Sequence, residues 1–138
     1  MMRLPYFQYH APRSVREAAD LLAASPDTTM LVAGGTDLLP NMKRRQQVPT
    51  TLVGLRQIAE LKAITNADGL TIGAGTTLAD LVRDPRVHDA YRGLWQAASQ
   101  VATPQLRNMG TIGGTSALTR AATTTTRTTS GARRSTSA

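Results

Sequence analysis

Two short glycine-bearing segments contain the residue types best suited to binding chemistry in this sequence. The first is Leu31-Val32-Ala33-Gly34-Gly35-Thr36-Asp37, and the second is Met109-Gly110-Thr111-Ile112-Gly113-Gly114. A glycine pair lets backbone N–H groups approach an anion without obstruction by a Cβ atom. Neither segment has the G-x-G-x-x-G spacing or the Gly-Lys-Ser/Thr ending of the common phosphate motifs. Each alone is more typical of a tight turn, but together they predict two loops that close on one anion.

The absence of cysteine excludes several other kinds of site. A disulfide framework, a thiolate zinc site, a cysteine nucleophile and a cysteine-held iron–sulfur cluster cannot form within this chain. Redox chemistry therefore needs a bound cofactor. His10 and His88 are isolated in the sequence, which favours surface or capping roles, so we assign no catalytic residue and no metal site. Asp37 suits a helix N-terminus or a cofactor contact, and the helix cap is favoured.

Hydrophobic periodicity predicts the elements that position the two glycine segments. Ser14 and Glu17 form a capping-box pattern at the start of a helix that ends near Pro26. Further elements are predicted as strands at 29–33, 51–54 and 70–74, a short helix after Asp37, a helical turn at 58–61, a helix from 77 that Pro85 ends, and a helix at 89–102 with Trp95 in the core. This alternation predicts an α/β or α+β fold over residues 1–114.

The composition changes at residue 115. Residues 115–138 contain nine threonines, four serines, four arginines and no acidic residue, so most of the formal net charge of +7 lies there. After Leu118 no aliphatic side chain is larger than alanine, so the segment cannot offset an ordering cost of about 1–2 kcal/mol per residue. We expect a disordered tail. Without aromatic residues or clustered basic residues, it predicts neither a nucleic-acid arm nor a membrane anchor.

The apolar runs are too short to span a membrane, and the first residues lack the pattern of a signal peptide. We therefore expect a cytoplasmic protein.

Five segments appear in a consistent order along residues 3–114. They are Leu4-Pro5-Tyr6-Phe7 with Ser14-Val15-Arg16-Glu17-Ala18, Val32-Ala33-Gly34-Gly35-Thr36-Asp37-Leu38-Leu39-Pro40-Asn41-Met42-Lys43, Ile72-Gly73-Ala74-Gly75-Thr76-Thr77-Leu78, and Arg107-Asn108-Met109-Gly110-Thr111-Ile112-Gly113-Gly114. This pattern resembles the FAD-binding medium subunit of the molybdenum hydroxylases, which include xanthine and carbon monoxide dehydrogenases and 4-hydroxybenzoyl-CoA reductase. The resemblance implies the N-terminal part of a split FAD-binding fold with two subdomains. It further implies that the FAD pyrophosphate is held by Ala33, Gly34, Gly35, Thr36, Asp37, Leu38, Thr111, Ile112, Gly113 and Gly114.

The same resemblance implies an electron-transfer subunit of an FAD-dependent oxidoreductase, of the 4-hydroxybenzoyl-CoA reductase β-subunit type. Its implied partners are a large subunit that binds molybdopterin and a small subunit with 2Fe–2S clusters. The organic substrate would bind on the large subunit. The alternative from another class is a non-catalytic phosphate- or nucleotide-binding module with a basic tail.

The resemblance ends at Thr115, where the family has Asn or Asp after the second glycine pair. When residues 115–138 are back-translated with permitted codons and one nucleotide is restored, an uninterrupted reading begins Asn-Leu-Cys. That reading resembles the continuation of the 4-hydroxybenzoyl-CoA reductase β type, including its cysteine-bearing insertion. We therefore expect the tail to be out of frame, the intact subunit's cysteine-held cluster to be missing, and the chain alone to be inactive.

Overall fold

The computed structural model describes residues 3–117. Its elements are β1 (Gln8–His10), α1 (Val15–Ala24), β2 (Thr29–Val32), α2 (Leu38–Lys43), β3 (Thr51–Gly54), a 3-10 helix (Ala59–Lys62), β4 (Ile64–Asn66), β5 (Leu70–Ile72), α3 (Leu78–Arg83), α4 (Pro85–Ala90), α5 (Arg92–Gln100), α6 (Pro104–Arg107) and a helical segment at 112–117. This mixture confirms the predicted α/β (α+β) class. The helical segment extends past Gly114, where the predicted folded part ends. The remainder of the predicted tail, residues 118–138, lies outside the described residues.

The first half of the fold is a three-stranded parallel sheet in the order β1-β3-β2. The last three residues of its central strand β3 are buried, which explains why apolar residues follow Thr51 there. Helix α1 covers the sheet because its Ala18 packs with Val53 of β3 and with Ile58. Strand β2 ends at Val32, so the loop part of the first glycine segment begins with Ala33 at the carboxyl edge of this sheet.

The start of α1 confirms the predicted cap and refines it. The Ser14 hydroxyl accepts a hydrogen bond from the Glu17 amide at 3.2 Å. The Glu17 carboxylate accepts from the Arg13 amide at 3.0 Å, one residue earlier than in a standard capping box. The Val15 amide donates to Oε1 of Glu60 at 2.8 Å. The helix N-terminus is therefore also tied to the 3-10 helix.

The second half packs helices against a small antiparallel hairpin of β4 and β5. Its core contains Leu78, Leu81, Val87 and Ala98 from α3, α4 and α5. Trp95 packs against this core, and its Nε1 donates to the Val82 carbonyl at 3.0 Å. The structure therefore confirms the predicted core role of Trp95.

Prolines account for two differences from the predicted helices. Pro85 begins α4, because proline is well tolerated in the first turn and Asp84 caps this helix by accepting from the Arg86 amide at 2.9 Å. The predicted helix at 89–102 is therefore wrong at its start, since α4 and α5 meet at Tyr91. Pro104 likewise opens α6, a single turn that leads into the second glycine segment.

Candidate functional site

The two glycine segments touch each other directly. The Gly34 backbone lies so close to Met109 that a Cβ atom there would overlap the Met109 carbonyl oxygen and lie 2.7 Å from its carbon. The next carbonyl, that of Gly110, accepts a hydrogen bond from the Leu78 amide at 2.9 Å. A loop from the parallel sheet and a loop from the helical half thus share one contact. Glycine at position 34 is required by this close approach.

A cleft of about 160 Å³ lies between these loops. Eight of the ten predicted site residues line it, namely Ala33, Gly34, Gly35, Thr36, Asp37, Leu38, Thr111 and Gly114. Ile112 and Gly113 do not line it. Leu31, Val32, Gly110 and Thr115 complete the wall. Gly110 was not among the predicted site residues. Its place within the second glycine segment is the sequence signal that could have identified it.

The first loop carries a run of backbone amides with free donor capacity. No amide of residues 33–38 donates a hydrogen bond to another group in the described part of the chain. Gly35 has φ +72°, in the left-handed region that glycine adopts readily. Successive N–H groups around a left-handed residue form a concave donor surface for an anion. The first loop is therefore suited to hold a phosphate group.

The second loop uses most of its amides internally. The Ile112 amide donates to Thr76 O at 3.0 Å, and the Gly113 amide donates to Ala74 O at 2.9 Å. The Gly114 amide donates to Oγ1 of Thr111 at 3.2 Å. Among the described groups, the Thr111 amide alone in residues 111–114 has no acceptor. This loop therefore contributes mainly the shape of the cleft.

Asp37 stands at the N-cap position of α2, but its carboxylate makes no capping hydrogen bond. Its Oδ2 instead accepts from the Asn41 side-chain amide at 3.0 Å. The predicted capping role is wrong because the backbone of Asp37 is helical, with φ −104° and ψ −48°, rather than extended as a capping residue requires. The first amides of α2 consequently receive no acceptor from the Asp37 side chain.

A larger cleft of about 410 Å³ adjoins the first and shares Ala33 and Thr111 with it. Its wall includes the cations Arg56, Lys62 and Arg83. Arg83 lies 3.7 Å from a carboxylate oxygen of Asp80, whereas Arg56 and Lys62 have no carboxylate partner within residues 3–117. The cleft therefore carries an excess of positive charge, which favours an anionic ligand.

The histidines lie away from both clefts. His10 is exposed on β1, and Nδ1 of His88 lies 2.7 Å from Oδ1 of Asp89. The His88 ring meets Trp95 edge-on, with centroids 4.9 Å apart. Within residues 3–117 no three side chains of His, Asp or Glu are grouped to hold a metal ion. None of the helices described there is long and apolar enough to cross a membrane.

Comparison with known proteins places these features in one family. Residues 5–131 match the family described as the FAD binding domain in molybdopterin dehydrogenase. The chain is 44% identical over 111 residues to the carbon monoxide dehydrogenase medium chain of Hydrogenophaga pseudoflava, which covers 80% of this chain and 39% of that protein. It is 36% identical over 110 residues to the nicotinate dehydrogenase FAD-subunit of Eubacterium barkeri, covering 78% of this chain and 37% of that protein.

Solved structures show the same relation. The carbon monoxide dehydrogenase of Hydrogenophaga pseudoflava matches with a TM-score of 0.79 and 44% identity, over 82% of this chain and 40% of that one. Quinoline 2-oxidoreductase from Pseudomonas putida 86 matches with a TM-score of 0.78 and 38% identity, over the same shares of the two chains. This chain thus spans about 40% of the length of the proteins it matches. It belongs to the FAD-binding domain family of the molybdopterin dehydrogenases.

Proposed function

We propose that this chain binds FAD and forms part of an electron-transfer subunit of a molybdenum-containing oxidoreductase. The observation that carries the proposal is the run of amides at 33–38, which have no acceptor among the described groups and border the cleft between the two loops. The residues fit the cofactor, because a dinucleotide pyrophosphate needs several N–H donors and close backbone approach. The left-handed backbone of Gly35 lets successive amides point to one side, and the lack of a Cβ atom allows close approach.

In this proposal the first loop holds the pyrophosphate. The amides of residues 34–38 donate to its oxygens, and the Thr111 amide approaches from the opposite loop. Ile112 and Gly113 act indirectly, because their amides join the second loop to Thr76 and Ala74. A Cβ atom at Gly113 would lie 2.8 Å from Ala74, so this glycine serves the packing of the loop.

The adjoining cleft is a suitable place for the nucleoside end of the cofactor. Its volume of about 410 Å³ falls within the range of small-molecule sites. The free cations Arg56 and Lys62 complement the charge of a pyrophosphate bound next to them. We therefore assign the adenosine part of FAD to this cleft.

FAD, once bound, supplies the electron transfer, and the residues of this chain bind and orient it. The relatives named above are subunits of dehydrogenases, which supports a partner subunit with molybdopterin and a partner subunit with iron–sulfur clusters. The reading of residues 115–138 in a shifted frame favours the 4-hydroxybenzoyl-CoA reductase type.

Amide NMR spectra of the full 138-residue chain, titrated with FAD, ADP, inorganic pyrophosphate or FMN, test the site. FAD, ADP and pyrophosphate should all shift the amides of residues 33–38, and FMN should shift them least because it lacks a pyrophosphate. Only FAD and ADP should also shift Arg56 and Asn108 in the adjoining cleft. The proposal is refuted if saturating FAD leaves residues 33–38 unchanged. Binding of ADP that is much tighter than binding of FAD would instead support a nucleotide-binding module.

A further inference from the structure

We propose that Arg107 is a positioning residue for the cofactor loops. Its guanidinium would fix the backbone before α6, and through α6 it would fix the place where Met109 meets Gly34. The inference rests on the proposed function, since it concerns the geometry of the same cleft. It adds a residue that does not itself line the small cleft.

The side chain of Arg107 reaches back over its own helix. Its Nη1 donates to the Val101 carbonyl at 3.0 Å and to the Ala102 carbonyl at 3.1 Å. Ala102 has φ +52°, a left-handed conformation that is unfavourable for a residue with a Cβ atom. The guanidinium thus binds two consecutive carbonyls at the point where the backbone is strained, and it holds Ala102 in that conformation.

Helix α6 depends on such support because it has only four residues. A single helical turn has too few hydrogen bonds to persist alone. The capping hydrogen bond that the Leu106 amide donates to Oγ1 of Thr103 is long, at 3.4 Å. The Arg107 side chain connects the last residue of α6 to the segment before the helix, so its hydrogen bonds stabilise the single turn.

The orientation of α6 then sets the second loop. The Leu106 carbonyl accepts from the Met109 amide at 3.1 Å and from the Gly110 amide at 2.7 Å. These two bonds continue the turn directly into the contact with Gly34. A displacement of α6 would therefore move the Met109 carbonyl and change the width of the cleft.

The charge of Arg107 is used differently from that of Arg83 and Arg86. Arg83 and Arg86 lie beside carboxylates, whereas Arg107 is partly buried and has no carboxylate partner within residues 3–117. Its acceptors in this region are backbone carbonyls. An apolar side chain of similar length, such as methionine, has no donor for these carbonyls, whereas a lysine ammonium can donate to them.

The test compares four variants of the full chain: Arg107→Met, Arg107→Lys, Arg107→Met with Ala102→Gly, and the control Arg92→Met. Arg92 is exposed on α5 and lines neither cleft. FAD affinity is measured by the amide shifts of residues 33–38, and folding is checked by thermal unfolding. Arg107→Met should weaken FAD binding about tenfold, as expected for loss of charged hydrogen bonds. Arg107→Lys should recover part of that loss.

The double variant separates positioning from general destabilisation. Glycine adopts the left-handed conformation without strain, so Ala102→Gly should restore much of the affinity that Arg107→Met loses. Equal FAD affinity in wild type and Arg107→Met, or no recovery with either lysine or glycine, would overturn the inference. Loss of binding in wild type as well would refute the proposed function instead. In that case the role of Arg107 is tested by the intraresidue amide–Hα Overhauser effect of Ala102, which is strong at positive φ. This effect should weaken in Arg107→Met, and an unchanged signal would overturn the role of Arg107.

Discussion

Replacing Gly34 with alanine should separate the two loops. A Cβ atom at this position would overlap the Met109 carbonyl oxygen and lie 3.0 Å from Cα of Gly110. Because carbon atoms normally approach to about 3.5–4.0 Å, the second loop has to move by roughly 1 Å. The atoms in the way belong to the backbone, so no side-chain rotation can relieve the overlap.

The cost of Gly34→Ala follows from what the second loop holds. Moving it strains the hydrogen bond from Leu78 to the Gly110 carbonyl and the bond from Gly110 to the Leu106 carbonyl, which are 2.9 and 2.7 Å long. Each such bond contributes about 1 kcal/mol, and overpacking adds about 1–3 kcal/mol. We therefore expect Gly34→Ala to lower the free energy of unfolding by about 3–5 kcal/mol.

Urea unfolding followed by circular dichroism measures this change, with Gly93→Ala as the control. Gly93 lies in α5, and a Cβ atom there would meet no atom within 4 Å. Alanine is the better helix former, so the control should gain about 0.5–1 kcal/mol. The same glycine-to-alanine change should thus lower the free energy of unfolding at position 34 and raise it at position 93. A loss below about 1 kcal/mol for Gly34→Ala would refute the close contact between the loops.

Two further substitutions test local features of the fold. Arg45, at φ +59°, follows the C-cap of α2 at the position where glycine is usual, and the next amide, that of Gln46, donates to the Asn41 carbonyl. Arg45→Gly should therefore raise the free energy of unfolding in urea by about 0.5–1 kcal/mol, and a decrease would contradict this. The hydrogen bonds from Arg86 hold the pKa of Asp84 below its ordinary value of 3.8. This stabilisation is complete above that value and is lost as pH falls through the lowered pKa, so Asp84→Asn should flatten the acid limb of the stability profile, and an unchanged limb would contradict the pairing.

Local signals in the sequence predicted much of the first half of the fold. Ser14 and Glu17 marked the start of α1, and the apolar run at 51–54 marked the buried central strand. The glycine pair at 34–35 was predicted as a turn after β2, and Gly35 has φ +72° there. These predictions succeeded because each depends on neighbours within a few residues.

The remaining features depend on partners far along the chain. Strand β1 is exposed along its length and forms only by pairing with β3, so it has no alternating pattern of its own. The use of the Ile112 and Gly113 amides depends on Thr76 and Ala74, and no local motif indicates such pairing. The break between α4 and α5 coincides with Tyr91, whose hydroxyl accepts from the distant Leu70 amide at 3.2 Å.

The close approach of Gly34 to Met109 changes how mutagenesis of the glycine pair should be interpreted. Gly34 is fixed by a neighbouring carbonyl, whereas Gly35 is fixed by its own backbone angle. A variant at Gly34 that loses flavin would therefore report on the joint between two parts of the protein rather than on recognition of the phosphate. In an alignment of relatives, the residue type at position 34 should therefore covary with the conformation of the second loop. The residue type at position 35 should instead vary with the ligand that is bound.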